Sequence, residues 1–206
     1  MDATSQREEM VRVQLAARGI RDARVLEAMR RVPRHEFVLE AYRDEAYEDH
    51  PLPIGVDQTI SQPYIVAAML EQLALRAGDR ILEIGTGSGY VTALLSVLCA
   101  EVYSVERHAA LASEAEATLR RLGYLNVGIR TGDGRLGWVE YAPFDAILVS
   151  AATAEMPPAL FAQLTEGGRM ILPVGPSSSQ ELQLITKSGG EAEVKILEGC
   201  RFVPLV

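Results

Sequence analysis

The segment from Arg80 to Glu106 restricts the fold more than any other part of the chain. A short apolar run, Arg80-Ile81-Leu82-Glu83-Ile84, reads as a buried strand and passes directly into Gly85-Thr86-Gly87-Ser88-Gly89. An apolar helix from Tyr90 to Cys99 and a second short run, Val102 to Val105, follow. Two such strands joined through a helix form a βαβ unit, and a crossover of that kind makes its strands parallel. The rhythm continues with a helix from Ala109 to Leu122 and a strand from Val127 to Arg130. A strand from Asp145 to Ser150, a short helix from Ala159 to Leu164 and a strand from Arg169 to Val174 complete it. Ahead of the unit, Tyr64 to Leu75 reads as an apolar-rich helix. Strands alternating with helices of about 10–15 residues imply a parallel sheet covered on both faces. The tail differs. Glu181 to Lys187 and Ala192 to Leu197, joined through Ser188-Gly189-Gly190, predict an antiparallel hairpin at the sheet edge, after a loop at Ser177-Ser178-Ser179. The expected fold class is α/β: doubly wound and mostly parallel, with N-terminal helices and a C-terminal antiparallel edge.

At 206 residues the chain fits one domain, since a domain takes about 150 residues. Within it, residues 1–62 read as a helical cap, 63–175 as a core and 176–206 as antiparallel strands. In the cap, Met10, Val13, Leu15 and Ala17 are spaced for one helical face that Gly19 ends. Asp22 is placed to cap a second helix with Val25, Leu26 and Met29 as its stripe, stopped by Pro33. A polar stretch from His35 to His50 leads to a proline-rich turn, Pro51 to Gly55. Charge excludes more than it suggests: 20 Lys+Arg against 28 Asp+Glu give a net −8, a surface unsuited to neutralising phosphates, so nucleic acid is not an expected partner. No run approaches the roughly 18 apolar residues of a membrane span, and MDATSQREEM lacks the apolar core of a signal peptide. A cytoplasmic, membrane-free protein is expected. Cys99 and Cys200 are too few for a disulfide framework, and His35, His50 and His108 have no partner at ligand spacing, so no metal is expected.

The glycine turn carries the chemistry. A dinucleotide fingerprint, G-x-G-x-x-G, would place its third glycine where Tyr90 stands; this turn reads G-x-G-x-G. Its flanking carboxylate, Glu83, would repel a pyrophosphate but suit a cationic amine. Glu106, 21 residues after Gly85, closes the next strand, where a carboxylate accepts from both ribose hydroxyls. Asp133-Gly134 follows the third strand, within reach of an adenine amino group. The combination points to S-adenosylmethionine, a nucleoside with a charged amino-acid tail and no phosphate. A serine esterase is excluded, because Ser88 directly follows Gly87 and G-x-S-x-G is absent. A nicotinamide dehydrogenase is disfavoured by Tyr90 and Glu83.

The sequence resembles the protein-L-isoaspartate O-methyltransferases over nearly its whole length. The matching segments include Arg31-Val32-Pro33-Arg34 with Phe37-Val38, Ala46-Tyr47-Glu48-Asp49, Pro51 to Gly55, and Gln58-Thr59-Ile60-Ser61-Gln62-Pro63. The match continues through Leu82 to Tyr90, Val105-Glu106-Arg107, Gly132-Asp133-Gly134, Pro143 to Ile147, Gly167-Gly168-Arg169 and Arg201-Phe202-Val203-Pro204-Leu205. The Thr59-Ile60-Ser61 segment and the Arg201–Leu205 ending narrow it from methyltransferases in general.

The resemblance implies methylation of the free α-carboxylate of L-isoaspartyl residues, and more weakly D-aspartyl ones, in aged proteins. The ester then collapses to a succinimide, with S-adenosylhomocysteine as the other product. It implies Ser61 as the active-site residue and Glu83, Gly85, Thr86, Gly87, Ser88, Gly89, Glu106, Arg107, Asp133 and Gly134 at the cofactor. Gln58, Thr59, Ile60, Gln180, Phe202 and Val203 are implied at the peptide, with Arg201 to Leu205 as a peptide-binding strand, and a monomer is the default. From spacing alone, Ser61 two residues before Pro63 also reads as a helix N-cap, and the Arg201 ending as a plain edge strand. Asp57 and Cys200 depart from the family pattern, and Asp57 would put a negative charge at the cleft mouth. Trp138 reads as packing beneath the Asp133 loop. A methyltransferase for another carboxylate acceptor, or a binding module that has lost catalysis, are the competing readings.

Overall fold

The computed structural model describes residues 2–176 and 178–205, so Met1, Val206 and Ser177 of the serine loop lie outside the described residues. The chain opens with α1 (Ala3–Glu9), capped by the Asp2 carboxylate, and continues through a π-helical turn, Met10–Leu15, to Gly19. The wider π winding shifts the buried face from the expected spacing: Met10, Val11 and Leu15 are buried, whereas Val13 and Ala17 are exposed. Asp22 caps α2 (Ala23–Arg31) by accepting from Arg24 and Val25 N–H groups. Val25 and Met29 are buried and Leu26 partly so.

The proline-rich turn is more ordered than its sequence suggests. Leu52–Gly55 (β1) and Gln58–Ile60 (β2) form an antiparallel ribbon that pairs Leu52 with Ile60. Its turn residues, Val56 and Asp57, both have left-handed backbone, φ 52° and 55°. Asp adopts that region readily, whereas a β-branched residue does so at a cost. After the ribbon comes α3 (Pro63–Leu73), with proline in its first turn.

The remaining elements form the sheet and its helices: β3 (Arg80–Ile84), α4 (Tyr90–Leu98), β4 (Glu101–Glu106), α5 (Ala109–Arg121), β5 (Val127–Thr131), β6 (Phe144–Val149), α6 (Pro158–Ala162), β7 (Leu164–Val174), β8 (Gln180–Ser188) and β9 (Glu191–Cys200). Strand order is β5-β4-β3-β6-β7-β8-β9; the first five are parallel, and β8 and β9 pair antiparallel as the edge hairpin. The chain builds outward from β3 to β5 and then returns to lay β6 on the other side of β3. That reversal opens a crevice at the carboxyl ends of β3 and β6, where open α/β sheets take ligands.

Strand alternation assigns the two faces. Ile81 joins the larger core with α3, α4 and the N-terminal helices, while Leu82 and Ile84 join the smaller one with Phe144, Ile147 and Leu160. Residues from Met10 to Leu182 share the larger core, so the N-terminal segment packs on the sheet's own interior. Trp138 packs edge-on against Tyr103 and Tyr141 beside the smaller core.

Candidate active site

Glu83 lies on the same strand face as Ile81, which α4 covers, so its carboxylate is fully buried under the glycine turn instead of facing the cleft. Thr92 of α4 and Ser104 of β4 each donate to Glu83 Oε2 at 2.6 Å. The Thr86 hydroxyl of the turn lies 2.5 Å from Ser104 Oγ. Burial pushes the Glu83 carboxyl up to about 8, against the two hydroxyl donors that favour its charged form. The expectation that Glu83 meets a ligand's amine is therefore corrected: it pins the turn from below, through Ser104 to Thr86.

Glu106 does face the cleft. Its carboxylate accepts from the backbone N–H of Gly87 (2.9 Å) and of His108 (2.9 Å), leaving its other lone pairs toward the crevice. Gly89 begins α4 in left-handed backbone, φ 86°. Gly134 is required by space: a Cβ there would stand 2.4 Å from Ile84 Cγ2. The Asp133 carboxylate is turned away from the cleft toward Arg135, accepting from its backbone N–H and pairing with its guanidinium at 2.7 Å. Those bonds hold it below the usual carboxylate range. Gly134, rather than Asp133, lines the crevice.

The crevice is bounded by Gly85 to Ser88, Glu106, Arg107, Gly134 and the segment from Gln58 to Ser61. Gly89 sits behind this wall, beneath which Ala115 and Leu119 of α5 pack. A second cavity adjoins the first. Its walls include Tyr64, Arg18, Arg201, Phe202 and Cys200. Thr59, Ser61, Ser150 and Val203 border both.

Ser61 is thus on the shared wall, and it is not the helix cap. Gln62 holds the cap position without a side-chain bond, and Asp49 accepts from the Tyr64 N–H at 3.2 Å. Asp57, in the ribbon turn, lines neither cavity. Ile60 is buried against the core and only Thr59 of the pair is exposed.

The Arg201–Leu205 ending is not an edge strand. It leaves β9 and crosses the carboxyl ends of the sheet, tied to Ala152 on β6's exit loop: Ala152 N–H donates to Val203 O (2.8 Å) and Leu205 N–H to Ala152 O (2.7 Å). These two bonds make one isolated parallel bridge between Ala152 and Pro204. Gln180 grips the segment from β8, accepting the Phe202 N–H at 2.7 Å and donating to the Phe202 carbonyl at 3.1 Å. Gln180 is 3% exposed, so its amide is committed to the tail and not offered to a peptide.

Ser150 and Arg18 were not singled out by sequence reasoning. Ser150 ends the strand run Asp145–Ser150, and the rule that ligands sit beyond the carboxyl ends of strands would have found it. Nothing local marks Arg18.

A parallel sheet reversing at β3, a glycine turn with a carboxylate on the next strand and an adjoining acceptor cavity define a Rossmann-like, S-adenosylmethionine-dependent methyltransferase. Comparison with known proteins narrows the class. The family model for protein-L-isoaspartate(D-aspartate) O-methyltransferase matches residues 5–206. Protein-L-isoaspartate O-methyltransferase of Koribacter versatilis is 54% identical over 200 residues, covering 97% of this chain and 90% of the relative. That of Methylorubrum extorquens is 55% identical over 206 residues, 100% of this chain and 90% of the relative. Among solved structures, a protein-L-isoaspartate O-methyltransferase superposes with TM-score 0.88 at 33% identity, over 96% of this chain and 65% of that longer one. A Plasmodium falciparum beta-aspartate methyltransferase in complex with S-adenosyl-L-homocysteine gives 0.85 at 29%, covering 97% and 98%. The chain belongs to the protein-L-isoaspartate(D-aspartate) O-methyltransferase family.

Proposed function

We propose that the first crevice holds S-adenosylmethionine and the second cavity an isoaspartyl peptide, with Ser61 presenting the peptide's free α-carboxylate across their shared wall. The position of Ser61 on both cavities carries this reading. The crevice suits the cofactor by its acceptor and its lining: Glu106 keeps lone pairs for two ribose hydroxyls, and Gly134, packed closely on Ile84, lines the same crevice. When bound, the cofactor supplies a methyl group already activated on a positively charged sulfur.

The substrate's carboxylate, with an ordinary pKa near 4, is ionised at about pH 7, so the reaction asks for no general base. The chain's task is alignment, which can supply roughly 7–11 kcal/mol. The Ser61 hydroxyl donates to one carboxylate oxygen and leaves the other free to attack. Thr59 and Val203 flank it, and Gln180 fixes Val203 by clamping Phe202. In this reading the chain works as one domain and as a monomer, since both cavities are completed by residues of one chain. A cytoplasmic location suits its unpaired Cys99 and Cys200.

The test is methyl transfer from labelled S-adenosylmethionine to an isoaspartyl peptide beside the same peptide with normal aspartate. Transfer to the isoaspartyl peptide alone is expected. Transfer to neither, with S-adenosylhomocysteine still bound, would transfer the weight to the other reading, a different carboxylate acceptor.

A further inference from the structure

A repair enzyme that meets isoaspartate in many sequences must grip the peptide by its main chain, because flanking side chains vary. The second cavity contains one group built for that, and it comes from the far N-terminal segment. Arg18 closes the 3₁₀ turn Ala16–Arg18 and lines the cavity that opens on Ser61. Its guanidinium stacks on the Tyr64 ring, 3.8 Å from the centroid, and pairs with Asp49. Asp49 is itself fixed, accepting from Gln62 Nε2 at 2.8 Å and from the Tyr64 N–H at 3.2 Å. The fork is therefore immobilised by the residues that follow Ser61 directly.

Asp49 balances the Arg18 charge, while a guanidinium has five N–H donors and one carboxylate does not use them all. The opposite wall, with Glu198 and Arg201, carries one charge of each sign. The cavity is thus nearly balanced in charge and holds one guanidinium fixed in orientation, which suits a carbonyl oxygen better than an acidic side chain.

We propose that Arg18 is a substrate-positioning residue whose guanidinium donates to a main-chain carbonyl of the isoaspartyl peptide, holding the chain so that the α-carboxylate reaches Ser61. This rests on the acceptor reading above. It needs no particular residue next to the damaged site, and it makes the N-terminal segment part of the acceptor cavity.

The test compares wild-type protein with Arg18→Gln and Arg18→Lys on three isoaspartyl peptides whose flanking residues are acidic, basic or apolar. The expected result is a rise in peptide KM of about tenfold for both variants, equal across the three peptides, with kcat and S-adenosylhomocysteine affinity within about twofold of wild type. Lysine fails to rescue because it keeps the charge but loses the stacked fork. Tyr64→Leu, which removes the stack and keeps the ion pair, should raise KM by a smaller factor. An unchanged peptide KM would overturn the proposal, as would a rise confined to the acidic peptide, which would make Arg18 a reader of side-chain charge. Equal losses in kcat, cofactor affinity and melting temperature would reduce it to a structural strut. Failure of wild-type protein to methylate any of the three would instead remove the acceptor assignment on which the inference rests.

Discussion

The two halves of the site are made in opposite ways. The cofactor side is built mainly on consecutive strand ends: Gly85 to Gly89, Glu106 and Gly134 belong to them, and the turn rests on the buried Glu83–Ser104–Thr86 chain of hydrogen bonds. The acceptor side is gathered from afar. Arg18 with its partner Asp49, Ser61, Ser150 and residues 198–203 meet there, held by long-range contacts such as the Gln180 amide on Phe202. A preformed turn sets where the methyl donor lies. A set of separate segments sets which carboxylate is brought to it, and such a wall can change without disturbing the turn.

If the halves are separable in this way, substitutions should divide cleanly between cofactor and acceptor parameters. The largest effect is expected for Glu106→Ala, which removes the acceptor of two backbone N–H groups as well as the ribose site. Hydrogen bonds to charged groups contribute about 1.5–3 kcal/mol each, so calorimetry should show S-adenosylhomocysteine binding weakened by about 1000-fold. A loss of only a few fold would mean that the turn binds without its carboxylate. Ser61→Ala comes next. Loss of one donor aimed at the reacting group should lower kcat by about 100-fold, with cofactor affinity and melting temperature unchanged, because Asp49 and not Ser61 caps α3. Normal turnover in this variant would remove Ser61 from the mechanism.

A smaller effect is expected for Gln180→Leu, which leaves the Phe202 N–H and carbonyl without the side chain that satisfies them. It should cost about 1–3 kcal/mol in stability and raise peptide KM by about tenfold, with a lesser change at the cofactor, read from thermal melts beside steady-state kinetics. Equal damage to both affinities would break the division between halves. The smallest concerns Glu83. Its folded pKa, about 8, lies above the unfolded value, so the folded chain holds a proton that the unfolded chain has lost. Its contribution to stability is complete below the unfolded pKa and declines as pH rises through the folded one. Glu83→Gln should therefore gain on wild type in melting temperature as pH rises from about 4.5 to about 8 and level off above that. A difference that stays constant with pH would mean that Glu83 is charged throughout.

The same division governs what could be read from the sequence. The strand–turn–helix rhythm placed every parallel strand, because burial on both faces leaves short apolar runs that periodicity detects. Glu106 followed from its distance to Gly85. Glu83 and Asp133 were located correctly along the chain but not in orientation: one strand face is covered by α4, and the neighbouring Arg135 captures the other carboxylate. Those are tertiary facts. The β1–β2 ribbon hid behind two prolines, and the π-turn shifted the first helix's buried face by altering its winding. On the acceptor side, spacing alone favoured a helix cap at Ser61, and only family resemblance pointed to a site. No local pattern could join Arg18 to a cavity completed by residues 198–203.

The most direct test is the structure of the protein with S-adenosylhomocysteine and an isoaspartyl peptide bound together. The account predicts the nucleoside on Glu106 and Gly134 and the peptide in the second cavity, with a carboxylate oxygen about 3 Å from Ser61 Oγ and directed toward the cofactor's sulfur. A peptide lying outside that cavity, with Ser61 facing solvent, would contradict it.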